Sequence, residues 1–345
     1  MDIRVFDRAA AQRARERWLF VAKPLFGLGR FEDMIIQIAG IKGSEMFGLD
    51  KKALVVMCAD NGIVAEGVTQ TGQEVTAAVA ANFLCGKTSV CKMAELAGVD
   101  VFPVDIGIAR DVDGLTVPEK KLMYGTDNMT KGPAMSRETA ERAVKLGIET
   151  AAKLAKKGYE IICTGEMGIG NTSAASAVIS AFLDMPPEMT VGRGAGLDSA
   201  GLKRKTDAVK KALDVNRPDK NDALDVLSKV GGLDIAGLAG VFIGGAVCGV
   251  PVVTDGFISA AAALCAVRLC GGAADFILPS HVSKEPAVGV LFRELGLTPV
   301  IDANMCLGEG SGAVMLMPLL DMACAVYAQM PTFDDIKIER YRIQE

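Results

Sequence analysis

The sequence lacks the clustered histidines and cysteines that build zinc centres. It contains a single histidine, His281, and its nine cysteines never form a Cys-x-x-Cys pair. Protein-bound zinc needs clustered cysteine and histidine ligands at short spacings, so no metal is expected. The Gly-x-Ser-x-Gly turn of serine hydrolases is also missing, which leaves a hydrolase triad without support. A lone histidine outside a recognisable motif is typical of a structural residue.

The charge is small and evenly mixed. The chain has 37 basic and 42 acidic residues and a net charge of −5. Short basic stretches at 203–205 and 210–211 are typical of solvated helix faces. A nucleic-acid-binding protein needs a concentrated basic surface to neutralise phosphates. Nucleic acid is therefore not an expected partner.

One apolar stretch, residues 235–254, is uncharged and long enough to span a bilayer. It contains five glycines and Pro251, and an aspartate brackets it on each side. These features predict a buried helix that ends near Gly249 and a short buried strand at 250–254, not a membrane span. The N-terminus lacks the apolar core of a signal peptide. The odd number of cysteines, most of them in apolar runs, predicts buried thiols in a reducing compartment, so we expect a cytoplasmic location.

Short apolar runs separated by helical patterns predict an α/β fold. Runs without polar alternation are typical of parallel strands that are covered on both faces. They occur at 53–58, 99–105, 160–164, 250–254 and 275–278. We expect a Rossmann-like parallel sheet wound with helices, of which the clearest is predicted over 136–157.

The ends of the chain show no strand–helix unit. We predict a large ligand-binding α/β domain at 46–308, and a small helical domain formed by 1–45 with 309–345. In open parallel sheets, ligands bind beyond the carboxyl ends of the strands. The loops expected there are 59–62, 165–172, 255–257 and 280–283.

The loop GEMGIGNTS, residues 165–173, follows a strand and precedes a helix predicted over 172–182. Its glycines allow the backbone to approach a ligand. Its N–H groups and the helix dipole would hold a phosphate, with Asn171 or Thr172 near the N-cap. The spacing matches neither a P-loop nor Gly-x-Gly-x-x-Gly, so a structural turn stays an alternative. Glu166 inside the loop favours a functional role.

Two further glycine-rich stretches carry charged residues. In GRGAGLDSAGLKRK, residues 192–205, a turn leads into a helix with Lys205 near its middle; this lysine either reaches a phosphate or lies at the surface. In LGEGSGA, residues 307–313, Glu309 lies between two glycines. A partly desolvated carboxylate is suited to general-base catalysis. The alternative is an acid that stabilises a helix N-terminus through the dipole.

Taken in order, these stretches resemble the nicotinate-nucleotide:dimethylbenzimidazole phosphoribosyltransferase family. The resemblance covers about residues 25–330, and the order and spacing of the runs make it specific. The runs are ADNGIVAEGVTQTGQEVT (59–76), GPAMSRETA (132–140), GEMGIGNTSAAS (165–176), GRGAGLDSAGLKRK (192–205), DVLSKVGGLDIAGLAGV (225–241), VPVVTDGFISAAAAL (250–264), PSHVSKEP (279–286) and LGEGSGA (307–313).

The resemblance implies a pentosyltransferase that moves the 5-phosphoribosyl group of nicotinate mononucleotide to an aromatic acceptor. The products would be nicotinate and an α-ribotide for the lower ligand of a cobamide. It implies Glu309 as the general base and Glu166 as a second carboxylate. Around the nucleotide it places Gly168, Ile169, Gly170, Asn171, Thr172, Gly192, Gly194, Lys205 and Ser283. At the acceptor pocket it places Thr71, Val79, Met167 and Leu307.

The implied reaction requires no cofactor. The pyridinium ring leaves uncharged, and Glu166 and Glu309 would supply negative charge near the cation-like ribose carbon. Glu309 would take the proton of the acceptor in a single displacement. The resemblance also implies an active site between a Rossmann-like and a small helical domain, within a dimer.

The sequence departs from the family pattern at four positions. Asn61 replaces a histidine of many members, and Cys306 replaces a common arginine. Thr71 and Val79 lie where benzimidazole-using members can have serine and glutamine. Loss of the glutamine removes a polar group from the acceptor pocket. We therefore hypothesise a phenol or p-cresol acceptor, as in one branch of the family.

That branch pairs two homologous subunits, so a homodimer and a heterodimer both stay open. The chain could then be a non-catalytic subunit that supports an active partner. A third alternative is a different nucleotide-binding α/β enzyme in which Glu309 only caps a helix.

Overall fold

The computed structural model of the chain describes residues 2–115 and 121–343. Residues 1, 344 and 345, at the ends of the predicted small domain, lie outside the described residues. The strands are β1 Lys52–Ala59, β2 Val99–Gly107, β3 Ile161–Met167, β4 Val252–Val253, β5 Ile277–Leu278, β6 His281–Ser283 and β7 Ile301–Met305. The helices are α1 Arg8–Phe20, α2 Arg30–Lys42, α3 Glu74–Leu84, α4 Ser89–Ala97, α5 Arg137–Lys156, α6 Asn171–Leu183, α7 Pro187–Thr190, α8 Ser199–Asn216, α9 Ala223–Val230, α10 Leu233–Cys248, α11 Phe257–Leu269, α12 Val288–Glu294 and α13 Ser311–Gln329.

The first five strands form one parallel sheet in the order β2-β1-β3-β4-β5. Every residue of β1 is buried because both faces of the sheet are covered. Val55 and Met57 face the cluster that contains α5, α10 and α11, whereas Leu54 and Val56 face α2, α3, α4 and α13. The predicted Rossmann-like sheet with helices on both faces is confirmed.

The strand β3 is longer than the predicted run at 160–164. It continues to Met167 because Gly165 and Glu166 pair with Val56 and Met57 of β1. Glu166 therefore belongs to the end of a central strand and not to a loop. The order of strands also reverses at β1, whose neighbours are β2 and β3, and such a reversal opens a crevice at the carboxyl edge.

The strands β6 and β7 form a separate parallel pair outside the main sheet. His281 pairs with Ile301, and Ser283 pairs with Met305. This pairing sets Ser283 beside the start of the segment that continues through Cys306 to Glu309.

The predicted helices are confirmed with small shifts. The helix expected over 136–157 is α5, whose N-cap Ser136 accepts a hydrogen bond from the Thr139 N–H at 3.1 Å. The apolar stretch 235–254 contains α10, which ends at Gly249 in the left-handed region (φ 69°), and then β4. Most of α10 is buried, so its lack of charge reflects a core position.

The chain ends pack together. Trp18 of α1, Ile35 of α2 and Tyr327 of α13 belong to one buried cluster. The other end of α13 also reaches the main sheet, since Leu316 and Leu54 share a second cluster. The division into 46–308 and a small domain of the chain ends stays a prediction.

By length and composition, α13 is apolar enough to cross a bilayer. Half of that apolar stretch is buried, and the helix packs against α2, α4 and β3. These contacts are typical of a core helix.

The prediction of buried thiols is wrong for two cysteines. All nine cysteines are free, and Cys58, Cys91, Cys163 and Cys265 are buried. Cys85 is exposed because it caps the C-terminus of α3 at the surface. Cys306 is exposed because it follows the outlying strand β7.

Close packing of α5 on α10 depends on glycine. A Cβ at Gly240 would lie 2.0 Å from the Val144 carbonyl oxygen. We expect Gly240→Ala to destabilise the protein by about 1–3 kcal/mol, the usual cost of overpacking, although alanine is the better helix former. Chemical denaturation measures the effect. Gly271→Ala is the control, because Gly271 is exposed and no atom lies within 4 Å of its added Cβ. Equal unfolding free energies in both variants would contradict the prediction.

Candidate active site

A pocket of about 280 Å³ lies at the carboxyl ends of β3 and β4. Its walls come from the glycine loop after β3, the segment after β4, the β6–β7 pair and α3. The lining residues are Val79, Glu166, Met167, Gly168, Ile169, Asn171, Thr172, Gly194, Ala195, Asp255, Gly256, Phe257, Ile258, Ser259, His281, Ser283, Glu285, Cys306, Leu307, Gly308 and Glu309. The pocket thus joins three of the four loops that the sequence places at the strand ends; no residue of the loop 59–62 lines it.

The glycine loop at 168–170 brings the backbone close to the end of β1. A Cβ at Gly168 would lie 2.1 Å from the Ala59 carbonyl oxygen, so only glycine fits there. The N-cap of α6 is Gly170, in the left-handed region at φ 96°, so Asn171 and Thr172 lie directly after the N-cap, near it as predicted, although no side chain caps the helix. Both of these side chains have other partners: Asn171 Nδ2 donates to Glu166 Oε2, and Thr172 Oγ1 accepts from Lys205.

Lys205 is buried, with 1% of its surface exposed. Its Nζ donates to Thr172 Oγ1 at 2.7 Å and to the Gly192 carbonyl oxygen at 3.1 Å. The solvated helix face predicted for 203–205 is therefore wrong at Lys205, although Lys203 and Arg204 are exposed. A cation is thus built into the wall beside the glycine loop.

Burial shifts the pKa of Lys205 and of its neighbour Glu285. Desolvation lowers the pKa of Lys205 to about 8, while Glu285 favours its charged form. Desolvation raises the pKa of Glu285, and Lys205 and the Gly194 N–H oppose that rise. An incoming anion would stabilise the charged lysine.

Glu166 is a buried carboxyl group at the end of β3. Desolvation raises its pKa to about 8, and the charges of Asp234, Asp255 and Glu309 add to the rise. The hydrogen bond from Asn171 acts in the opposite direction. Asp234 is fully buried behind the pocket, and desolvation raises its pKa to about 7. Burial therefore favours protonated carboxyl groups here near neutral pH.

Glu309 lies half-buried in a turn of unusual backbone conformation. Its φ is 62°, between Gly308 at 79° and Gly310 at 91°. Its Oε2 accepts a hydrogen bond from the Val90 N–H at 3.0 Å. Val90 lies in the first turn of α4, so the carboxylate does contact a helix N-terminus. That helix is not the α13 that follows Glu309 in the chain.

Asp255 and His281 form a pair that the sequence does not reveal. The loop 255–257 is predicted at the edge of the sheet, but no role is assigned to Asp255 there. Asp255 Oδ1 lies 3.7 Å from His281 Nδ1, and both residues are buried. Burial raises the pKa of Asp255, and His281 opposes the rise. The signal available in the sequence is the position of Asp255 directly after a buried strand.

The remaining predicted residues divide into two groups. Val79, Met167, Gly194, Ser283 and Leu307 line the pocket together with Cys306. The Ser283 hydroxyl is buried and has no hydrogen-bond partner among residues 2–115 and 121–343.

Three other residues with predicted roles, Gly192, Gly170 and Thr71, lie outside the lining, as does Asn61, a departure from the family pattern to which no role is assigned. Gly192 contacts Lys205 just behind it. Gly170 supports the loop from beneath, where a Cβ would lie 3.1 Å from Asn61 Cβ. Asn61 is buried there, and Thr71 is exposed.

Within the described part of the chain, no three histidine, cysteine, aspartate or glutamate side chains lie together in the manner of a metal site. The polar side chains that line the pocket are instead carboxyl groups, hydroxyl groups, the Asn171 amide and His281, with Lys205 just behind Thr172. This set is suited to holding an anion on one side and a cation-like centre on the other.

The chain is similar to known proteins in both sequence and structure over most of its length. A family model described as phosphoribosyltransferase matches residues 3–338. Nicotinate-nucleotide–dimethylbenzimidazole phosphoribosyltransferase of Acetivibrio thermocellus is 48% identical over 94% of this chain and 92% of the relative. The protein of that name from Alkaliphilus metalliredigens is 44% identical over 97% of each chain. The crystal structure of CobT from Thermus thermophilus matches with a TM-score of 0.92 and 38% identity over 96% of this chain and all of that one.

The raised pKa of Glu166 predicts a stability that depends on pH. Below its ordinary pKa of 4.5 the group is protonated in both states. As the pH rises toward 8, the unfolded chain ionises first, so the folded state loses stability. We expect Glu166→Gln to lose less stability than the unchanged protein between pH 5 and pH 8.5, by up to several kcal/mol at about 1.4 kcal/mol per pKa unit.

Urea denaturation across this pH range measures the difference. Asp234 is present in both proteins, and because its charge contributes to the raised pKa of Glu166, the difference reports Glu166 together with its coupling to Asp234. Glu95→Gln is the matched control, because that side chain is 73% exposed, and its curve should parallel that of the unchanged protein. Parallel curves for Glu166→Gln as well would show that Glu166 ionises normally.

Proposed function

The chain belongs to the nicotinate-nucleotide–dimethylbenzimidazole phosphoribosyltransferase family, and we propose that it transfers the 5-phosphoribosyl group of nicotinate mononucleotide to an aromatic base. The products are nicotinate and an α-ribotide used as the lower ligand of a cobamide. One observation carries the proposal: the glycine loop and two carboxyl groups, Glu166 and Glu309, line the same pocket. Buried Lys205 lies behind that loop and donates a hydrogen bond to Thr172.

The phosphate of the nucleotide is assigned to the glycine-loop side of the pocket. The N-terminus of α6 supplies a helix dipole that favours an anion. Lys205 lies behind Thr172 and supplies a positive charge, and the buried Ser283 hydroxyl faces the same pocket. Binding the dianion would favour the charged form of Lys205, against the desolvation that lowers its pKa to about 8.

The chemical step is a single displacement at ribose C1′. The bond from C1′ to the pyridinium nitrogen breaks, and its electron pair stays on nicotinate, whose ring leaves uncharged. The acceptor bonds to C1′ from the opposite face, which converts the β-nucleotide into an α-ribotide. Glu309 takes the proton of the acceptor. Holding both substrates in one pocket supplies much of the rate enhancement.

The charge of Glu166 in this step depends on whether the nucleotide is bound. Its pKa of about 8 favours the neutral form of the side chain at neutral pH. A pyridinium and a cation-like C1′ next to it would favour the carboxylate. The negative charge expected from Glu166 would therefore develop only when the nucleotide is bound.

The acceptor side is mostly apolar. Val79, Met167 and Leu307 line it with Cys306, which supports a flat aromatic acceptor. Val79 offers no hydrogen bond to a benzimidazole nitrogen, so we propose a phenol or p-cresol in preference to dimethylbenzimidazole. Thr71 is exposed and outside the pocket lining, and its contact with the acceptor stays a prediction.

The assembly and the location of the protein also stay predictions. A second copy or a homologous subunit would be the partner, in the cytoplasm. A chain that needs a catalytic partner would be inactive alone and active after that subunit is added.

The deciding experiment supplies nicotinate mononucleotide with dimethylbenzimidazole, adenine, phenol or p-cresol, and measures nicotinate release and α-ribotide formation. We expect turnover, with a higher kcat/KM for the phenols. Glu309→Gln should reduce kcat by about 10²–10⁴-fold, the usual contribution of a general base.

Glu95→Gln, an exposed glutamate of α4, is the control and should keep full activity. Preference for dimethylbenzimidazole would refute the phenol assignment. Full activity of Glu309→Gln would refute the assigned base. No turnover with any acceptor, alone or with a homologous subunit, would refute the reaction.

Lys205→Gln tests the phosphate assignment. Loss of a charge-assisted interaction costs about 1.5–3 kcal/mol, so we expect KM for the nucleotide to rise by roughly 10- to 100-fold, with a smaller change in kcat. Lys203→Gln on the same helix is the control, because its side chain is 78% exposed. An unchanged KM in Lys205→Gln would place the phosphate elsewhere.

A further inference from the structure

Asp255 holds the turn that carries Glu309. It follows β4 and is 2% exposed. Its Oδ2 accepts the Gly310 N–H at 3.2 Å, and its Oδ1 accepts the N–H groups of Gly312 at 2.7 Å and Ala313 at 3.3 Å. The carboxylate therefore satisfies free N–H groups at the start of α13. One of them is the amide that directly follows Glu309.

The Glu309 turn needs such a restraint. Left-handed backbone is unfavourable for a residue with a side chain, and Glu309 adopts it at φ 62°. A residue keeps such a conformation only where its surroundings impose it. The three hydrogen bonds from the turn and from α13 to Asp255 act as such a restraint, beside the Ser311 N–H to Gly308 carbonyl hydrogen bond that closes the turn.

Asp255 is itself fixed from several sides. Its N–H donates to Ser259 Oγ at 3.1 Å, and Ser280 Oγ donates to its carbonyl oxygen at 3.3 Å. His281 lies 3.7 Å from Oδ1, and the ring packs against Gly312, where an added Cβ would lie 1.8 Å from Nδ1. The carboxylate thus joins the end of β4, the β6 strand and the start of α13.

We propose that Asp255 is a positioning residue for the reaction: its carboxylate sets the backbone of Glu309 and, through it, the position of the Glu309 carboxyl group against the acceptor. This inference rests on the proposed function, in which Glu309 is the base. Asp255 also lines the pocket, so direct contact with the ribose is the competing role that the experiment must separate.

Asp255→Asn keeps the shape and replaces one acceptor oxygen with a donor that would face the N–H groups of the turn. A displacement of about 1 Å at a reacting group can cost about 10²-fold in rate. We expect kcat to fall by about that factor, with the Kd of nicotinate mononucleotide unchanged within about threefold, because the anion side of the pocket is untouched.

A double-mutant cycle tests whether Asp255 affects kcat through Glu309. In the Glu309→Gln background, Asp255→Asn should change the residual kcat by less than about twofold, since residues that act as one unit are not additive. A full additional loss in that background would overturn the proposal, because it would mean that Asp255 acts on the substrate directly or on the fold.

Ser259→Ala serves as the second variant. It removes the hydroxyl that holds the Asp255 backbone and leaves the carboxylate, so kcat should fall by a smaller factor that also disappears beside Glu309→Gln. Far-ultraviolet circular dichroism, Tm and the nucleotide Kd are measured on the same samples. If Asp255→Asn does not fold, the Ser259→Ala cycle alone decides, and an additive loss there rejects the proposal.

Failure of the proposed base and failure of the positioning role give different results. Full activity of Glu309→Gln would reject the proposed base, whatever Asp255→Asn does. An inactive Glu309→Gln together with a fully active Asp255→Asn would reject only the positioning role.

Discussion

The parallel pairing of β1 with β3 is the constraint on which the rest of the structure depends. It buries both strands on both faces, so their interior has no place for charged chemistry. The acidic side chains therefore lie at the carboxyl edge of the sheet: Asp60 follows β1, Glu166 is the second-last residue of β3, and Asp255 follows β4. Since neighbouring parallel strands end at the same edge, residues far apart in the chain become neighbours.

The same constraint explains why the site is electrostatically unusual. Glu166 and Asp255 line the pocket and Asp234 lies outside its lining, and desolvation is the first cause of the raised pKa of all three. Lys205 is shifted in the opposite direction by the same effect. A cation in the pocket would favour the ionised form of these carboxyl groups, and an anion would favour the charged form of Lys205.

The sequence alone predicts the sheet, most helix positions and the loops that meet at the pocket. It predicts them because apolar runs, glycine breaks and capping residues are local signals. Three features depend on tertiary contacts and cannot be predicted from local sequence signals. Gly165 and Glu166 join β3 through pairing with β1, Lys205 is drawn inward by Thr172 and Gly192, and Asp255 binds N–H groups more than fifty residues later in the chain.

The acceptor wall has a consequence for how such enzymes diverge. In the proposed acceptor wall, Val79 comes from α3, and Cys306 and Leu307 come from the segment after β7; neither element belongs to the five-stranded sheet, whereas Met167 is the last residue of β3. Lys205, Thr172 and the glycine loop lie on other elements. Substitutions at Val79, Cys306 and Leu307 can therefore accumulate without disturbing the side of the pocket to which the donor is assigned. A lineage built on this fold is free to exchange one aromatic base for another while it keeps the same activated sugar.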